Sequence, residues 1–260
     1  ILELINTGVL TATSCMTLSP HWPQSAKALT TQVRQKADIG LHLDFTQYSQ
    51  AIRFSHPQLV LRSLIGLLDS QAIVANIRQQ LDAFEAAIGN APDYVDGHLH
   101  VHQLPRIRQT LLAELGRRYG HLPAAQRPWL RVSSPPAGSG FKAKVIHWLG
   151  AQALRKEASA AGFAISPILL GVYDFQGNAD SYLACWGQWA NQLKQYSFTG
   201  SLPPVLMCHP SQPQQPFDGS DPIAAARVVE WQVMHADDFQ QWLASEGVQP
   251  VKGSLLKGQQ

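Results

Sequence analysis

Helix-like and strand-like segments alternate along this 260-residue chain, and that alternation limits its fold more than any other feature. "VLTATSCMTL" (9–18) and "ADIGLHLDFT" (37–46) read as strands. Between them and the next strand lies a helix over 70–88, where Ile73, Ile77, Leu81, Phe84 and Ile88 recur at spacings of three or four and Gly89 supplies the stop. "YVDGHLHVH" reads as the next strand, and Pro105 opens the helix "RIRQTLLAELGRRYG". The pattern continues through "WLRVSS", a helix over about 142–161, "SPILLGVYDF", a helix near 180–193 and "PPVLMCHP". The last helix is expected to open with Asp221 as N-cap and Pro222 in its first turn, with a short strand "VQPVKG" after it. "ILELINTG" at the start reads as a helix. Such alternation predicts an α/β fold with a parallel sheet and crossover helices, either a barrel or a doubly wound sheet. "SSPPAGSG" (133–140) reads as a loop, because the alternation resumes beyond it, so one domain over 1–260 is expected.

A hydrophobic share of 45% is ample for a buried core. Formal net charge is only +2, with no dense Lys/Arg stripe, which argues against a nucleic-acid partner. Cys15, Cys185 and Cys208 form no CxxC zinc pattern and no evident disulfide framework, so a reducing, cytoplasmic location is expected. No apolar run reaches the roughly 18 residues of a membrane span. "LVLRSLIGLL" is too short and is interrupted by Arg62.

The chemistry concentrates in "YVDGHLHVHQLP" (94–105), where Asp96, His98, His100 and His102 occupy every second position. In a strand all four would share one face, and a face that polar has to meet water, a metal or a substrate. Alternate strand residues lie roughly 6.5–7 Å apart, so three histidines cannot all reach one ion at about 2.1 Å unless the backbone bends. One or two of His98, His100 and His102 are therefore expected as ligands, and the others as orienting or substrate-contacting groups. Other strand ends carry His42 and Asp44, Arg131, Tyr173 and Asp174, and His209. In parallel α/β folds these ends converge on one site. His21, His56, His121, His147 and His235 read as surface residues, and Cys208 as a buried structural thiol. The absence of a GxSxG elbow argues against an ordinary serine hydrolase.

"ILELINTGVLTATSCM", "DIGLHLDFT", "DYVDGHLHVHQLPRIRQTLL", "LMCHP" and "DPIAAARVVEW" together resemble the YdjC-like carbohydrate deacetylases. "LGVYDFQG" with "VDGHLHVHQLP" is most similar to the branch associated with hopanoid biosynthesis. The resemblance implies a distorted (β/α) barrel and one divalent ion, Mg or Zn, held by one Asp and two His. Motif by motif, the histidine positions fall on His42 in "GLHL" and His98 in "DGHLHVH". The family's aspartate lies in a "DDFG" motif on its first strand, and this sequence does not contain that motif. The expectation is that the sequence lacks a short N-terminal segment carrying that strand.

The resemblance implies metal-assisted hydrolysis of an N-acetyl group on an amino sugar, in the hopanoid branch an N-acetylglucosaminyl glycolipid. His209 is expected to protonate the leaving amine. Arg131 is expected either to hold substrate or the oxyanion, or to pair with Asp96 or Asp174. Asp44 and Asp96 are expected to orient ligands, with ion binding as the other reading. Rival readings are an amidohydrolase- or phosphoesterase-type metal enzyme, and a carbohydrate- or lipid-binding pseudoenzyme. A glycolipid substrate would imply peripheral contact with the inner membrane. A homo-oligomer is a further partner to test for.

Overall fold

The segment "DIGLHL" builds the central strand of the fold, because apolar Ile39, Leu41 and Leu43 face the core while its backbone pairs on both sides. The computed structural model describes residues 1–136, 148–196, 202–213 and 221–257. β1 (Ala12–Cys15), β2 (Asp38–Leu43), β3 (Tyr94–Gly97) and β4 (Trp129–Leu130) form a parallel sheet in sequence order. Leu130 bridges to Ile165, and Leu169 N–H donates to the Ser134 carbonyl. These links lead to a second parallel pair, β5 (Leu169–Leu170) and β6 (Val205–Leu206). The α/β architecture with a parallel sheet is thus as expected. Among the described residues no strand pairs with the outer edges of β1 and β6, so the strands form two sheets and not a closed ring.

The helix expected over 70–88 is present as α5 (Ser70–Ile88), after α1 (Leu2–Asn6), α2 (Trp22–Ala28), α3 (Thr31–Lys36) and α4 (His56–Leu64). Asp69 caps the first turn of α5 through Gln71 N and Ala72 N, and Gly89 ends it at φ +80°. That left-handed conformation suits glycine, which has no Cβ to clash. Ile73, Ile77, Leu81 and Phe84 are fully buried, as their spacing requires. α6 (Ile107–Tyr119) and α7 (Ala151–Ala160) complete the main core over β2–β4. A second core joins α1, α8 (Ala179–Gln195), α9 (Ala224–Met234) and α10 (Phe239–Ser245) around β5 and β6.

Several boundaries differ from the sequence reading. The N-cap of α9 is Ile223 and not Asp221, whose carboxylate instead accepts from Ile223 N and pairs with Arg227 at 2.6 Å. "VQPVKG" is not a strand, because its chain passes into a 3₁₀ turn at Gly253–Leu255. There Ser254 is tied to the buried Asp38 carboxylate by its backbone N–H and its hydroxyl, so the segment packs as a clasp without ladder bonds. α2, α3 and α4 were not anticipated, being shorter than the periodicity test resolves. The first part of the helix expected over 142–161, and all of "AGSG" (137–140), lie outside the described residues.

Candidate active site

The stretch "DGHLHVHQ" does not continue as a strand. β3 ends at Gly97, and His98–Gln103 wind into a tight 3₁₀ turn in which Leu99 and His100 take positive φ (51° and 62°). The turn can close because a Cβ on Gly97 would stand 2.8 Å from His102 N and 2.9 Å from His102 Nδ1, space that only glycine leaves free. The three histidines consequently point in different directions, which corrects the shared face expected of them. His98 faces a cleft of ≈ 1790 Å³ along the carboxyl ends of the strands. His100 also reaches the cleft but anchors its Nδ1 on Ser133 Oγ at 2.8 Å. His102 is buried behind the turn, with Nε2–H donating to the Arg131 carbonyl at 2.7 Å.

Parallel register places His42 on β2 directly beside Asp96 on β3. His42 Nδ1 lies 2.7 Å from Asp96 Oδ1, and Asp96 Oδ2 accepts from Ser14 Oγ at 2.9 Å. Arg131 on the chain after β4 closes this ring, its Nη1 3.1 Å from Asp96 Oδ2. Its second amino group donates to the Gly97 carbonyl. Of the two roles expected for Arg131, the structure shows the ion pair with Asp96. Burial works against charge on Asp96, but Arg131 and then His42 hold its carboxyl well below the usual carboxylate range. An ionised Asp96 accepts a hydrogen bond from Nδ1–H, which fixes the His42 tautomer and leaves the lone pair on Nε2.

Asp44 does not line the cleft. It turns back into its own loop, where it accepts backbone N–H groups from Thr46, Gln47, Tyr48 and Ser49. Burial opposes its charge, yet the N–H groups of Thr46, Tyr48 and Gln47, with nearby His98, keep its carboxyl below the ordinary range. Asn76 and Gln80 of α5 fasten the same loop through the Asp44 carbonyl. Asp174 is exposed and caps Gln176 N. Cys208 is only partly buried as a residue, and desolvation of its thiol pushes its pKa up.

The rings of His42 and His98 meet edge to face with centroids 5.6 Å apart. Burial, reinforced by His42, pushes the His98 pKa down to about 4, so the ring is neutral near neutral pH. A neutral His98 ring facing His42 suits two positions of a divalent ion, since metal ligands must be deprotonated. Among the described residues no third His, Cys, Asp or Glu joins them in a metal-binding cluster. Every carboxylate lining the cleft there has a cationic partner: Asp96 with Arg131, Asp221 with Arg227 and Glu246 with Lys194.

Sequence reasoning passed over three residues here. His56, expected on the surface, lines the cleft from the start of α4, and burial lowers its pKa. Arg227 of α9 lies close enough to His98 to depress its protonation, and its Nη1 donates to the His209 carbonyl at 3.3 Å. Glu230, one helical turn further on, is fully buried and accepts the Tyr173 hydroxyl at 2.7 Å and the His209 backbone N–H. The i, i+3 spacing of Arg227 and Glu230 on one helix was the available signal. Helix α9 thus delivers a charged pair to the strand end that carries His209.

A parallel α/β sheet with an Asp-backed histidine pair at its strand ends defines a class of site before any relative is considered. The chain belongs to the YdjC-like protein family, whose match spans residues 1–245. It is 28% identical to a mouse protein named carbohydrate deacetylase over 193 residues, 66% of this chain and 58% of that protein. It is 26% identical to a human protein of the same name, over 71% of this chain and 59% of the relative. A zebrafish protein so named is 30% identical over 107 residues, 35% of this chain and 34% of the relative. The chain therefore spans less than two thirds of the length of these relatives. Its fold is similar to a crystal structure from Enterococcus faecalis of a protein named for cellobiose-phosphate cleavage. That likeness has a TM-score of 0.66 at 18% identity, covering 98% of this chain and 91% of the other.

Proposed function

We propose that this protein hydrolyses the N-acetyl group of an amino sugar at the cleft that His42, His98 and His209 line. The observation that carries the reading is the facing His42–His98 pair, with Asp96 and Arg131 fixing one ring and burial holding the other neutral. The relatives named carbohydrate deacetylase support the reaction class. His42 and His98 would hold a divalent ion, zinc or magnesium, through ring nitrogens. Bound there, the ion would supply Lewis acidity to polarise the acetyl carbonyl and acidify water. Asp96 keeps His42 in the required tautomer. His100, bonded to Ser133, shapes the wall beside the acetyl group, and His102 and Asp44 hold the two loops that carry the pair. His209 donates the proton that the leaving amine needs. No base is assigned among the described carboxylates, since those in the cleft are already paired.

The specific substrate proposed is an N-acetylglucosaminyl glycolipid of the hopanoid type. Beside the resemblance, its support is the end of α4 and the turn after it, where four apolar residues face outward while Leu59 of the same helix is buried in the core. Leu61, Leu64, Ile65 and Leu67 are 57–62% exposed while Ser63 is buried beneath them. Arg62 on α4 and Arg106 beside Gly66 flank this face, where residues 45–68 contain no acid and exposed Asp69 follows at the start of α5. An anionic lipid surface is the occupant this charge pattern fits. A second copy bound about a two-fold axis would instead set like charges against one another. Among the described residues no helix is long and apolar enough to cross a membrane.

The deciding experiment measures acetate release by the protein from N-acetylglucosamine-bearing sugars and glycolipids, with zinc or magnesium added. Release that is lost in His98→Ala and His42→Ala supports the proposal. Absence of release from every N-acetylated substrate, with the metal bound, refutes it.

A further inference from the structure

The deepest charged group near the cleft that the proposed reaction leaves unused is Glu230. It is fully buried on α9, and its carboxylate has two neutral donors, the Tyr173 hydroxyl on Oε1 at 2.7 Å and the His209 backbone N–H on Oε2. A buried carboxylate whose hydrogen-bond donors among the described residues are neutral calls for a cation nearby. The imidazole of His209 is the group within reach, its Nδ1 3.9 Å from Glu230 Oε1. That same Nδ1 is buried and has no hydrogen-bond partner among the described residues. Phe175, held at φ +62°, sets its ring against the imidazole with centroids 5.4 Å apart and limits how the ring can turn. His209 itself lines the cleft.

We propose that Glu230 is the positioning residue of His209: its carboxylate faces Nδ1, steadies the imidazolium, and so presents Nε2–H to the cleft as a proton donor. The catalytic part of this inference rests on the deacetylase reading, because it gives His209 the proton that the leaving amine takes. A short inward movement of the ring, about 1 Å, converts the 3.9 Å approach into a hydrogen bond of ordinary length. Tyr173 tunes the pair by occupying the same Oε1.

The other ionisable neighbours leave this pairing dominant. Arg227, from one turn earlier on α9, faces the His209 carbonyl, but Asp221 neutralises it at 2.6 Å. Cys208 of the same strand end and Tyr182 of α8 lie in the field of Glu230, and burial keeps both uncharged near neutral pH. Asp174 stands in the exposed turn beyond Tyr173, occupied with Gln176 N.

The test titrates the His209 imidazole by NMR in the full protein, assigned with His209→Gln, and needs neither metal nor substrate. Glu230→Gln is expected to lower the midpoint by about one pH unit, a tenfold weaker hold on the proton. Glu230→Asp should restore part of that loss. Tyr173→Phe should move the midpoint upward by freeing Oε1, and it decides the matter if Glu230→Gln fails to fold. An unmoved midpoint in folded Glu230→Gln, or in Tyr173→Phe when the former is unfolded, overturns the proposal. With acetate release as a second readout, Glu230→Gln should bring the alkaline limb of the kcat profile to lower pH with KM unchanged. If the wild type releases no acetate, the deacetylase reading fails while the NMR result still judges the pairing. If it releases acetate and the midpoint is indifferent to Glu230, only the positioning role fails.

Discussion

Replacing Asp96 by Asn removes one charge from the centre of the candidate site while preserving the size of the side chain. In the wild type Asp96 and Arg131 are both almost fully buried and 3.1 Å apart, and His42 and Ser14 complete the carboxylate's partners. The amide keeps one acceptor for His42 but turns a donor toward Ser14 or the guanidinium. Arg131 is then left with the Gly97 carbonyl and a contact to Met207 Sδ for a buried positive charge. Breaking a buried ion pair from one side costs about 3–5 kcal/mol, and the surviving contacts favour the lower end, about 3 kcal/mol. For a chain of this size that lowers Tm by roughly 6–12 °C. Because the folded carboxyl is depressed, its stabilisation is fully present above the unfolded pKa of about 3.9 and is lost as pH falls towards the folded value. The gap between wild type and Asp96→Asn should therefore be constant near neutral pH and shrink by about 1.4 kcal/mol per pH unit below about pH 4. Urea unfolding at several pH values, followed by circular dichroism, measures it. A gap under about 1 kcal/mol at neutral pH, or one unchanged at about pH 3, refutes the reasoning.

Two further variants probe the fold's edges. Leu61→Glu with Leu64→Glu should abolish cosedimentation with phosphatidylglycerol vesicles, which salt should weaken in the wild type, and should leave acetate release from water-soluble sugars unchanged. A wild type that ignores vesicles, or that self-associates through this face by light scattering, counts against the lipid surface. Gly171→Ala should destabilise by about 3 kcal/mol or more, because φ is +86° and the new Cβ would stand 1.9 Å from the Met207 carbonyl oxygen. Thermal unfolding checks this, and a loss under about 1 kcal/mol would mean that β5 and β6 can part without cost.

What the sequence could determine alone was whatever depends on near neighbours. The 3.6-residue spacing of Ile73 to Ile88, with Asp69 before it and Gly89 after it, specifies α5 because caps and periodicity act within one or two turns. The apolar alternation of 38–43 and the strand-end positions of His42 and His98 were legible for the same reason, and the family resemblance singled those two out among ten histidines. Other features needed the folded chain. The end of β3 at Gly97 depends on His102 packing into the space where a Cβ would sit, and no strand propensity reports that. Asp44 and Asp96 look alike in sequence, yet one is absorbed by its own loop's N–H groups and the other lies between His42 and Arg131 because β2, β3 and β4 are adjacent. Glu230 reaches His209 across 21 positions because α9 packs where β6 ends, and "RVVE" by itself reads as an ordinary helix face. Local propensity acts within a few residues, whereas the partner of a buried charge is set by which elements pack together, so the tertiary structure alone decided how the site's charges are matched.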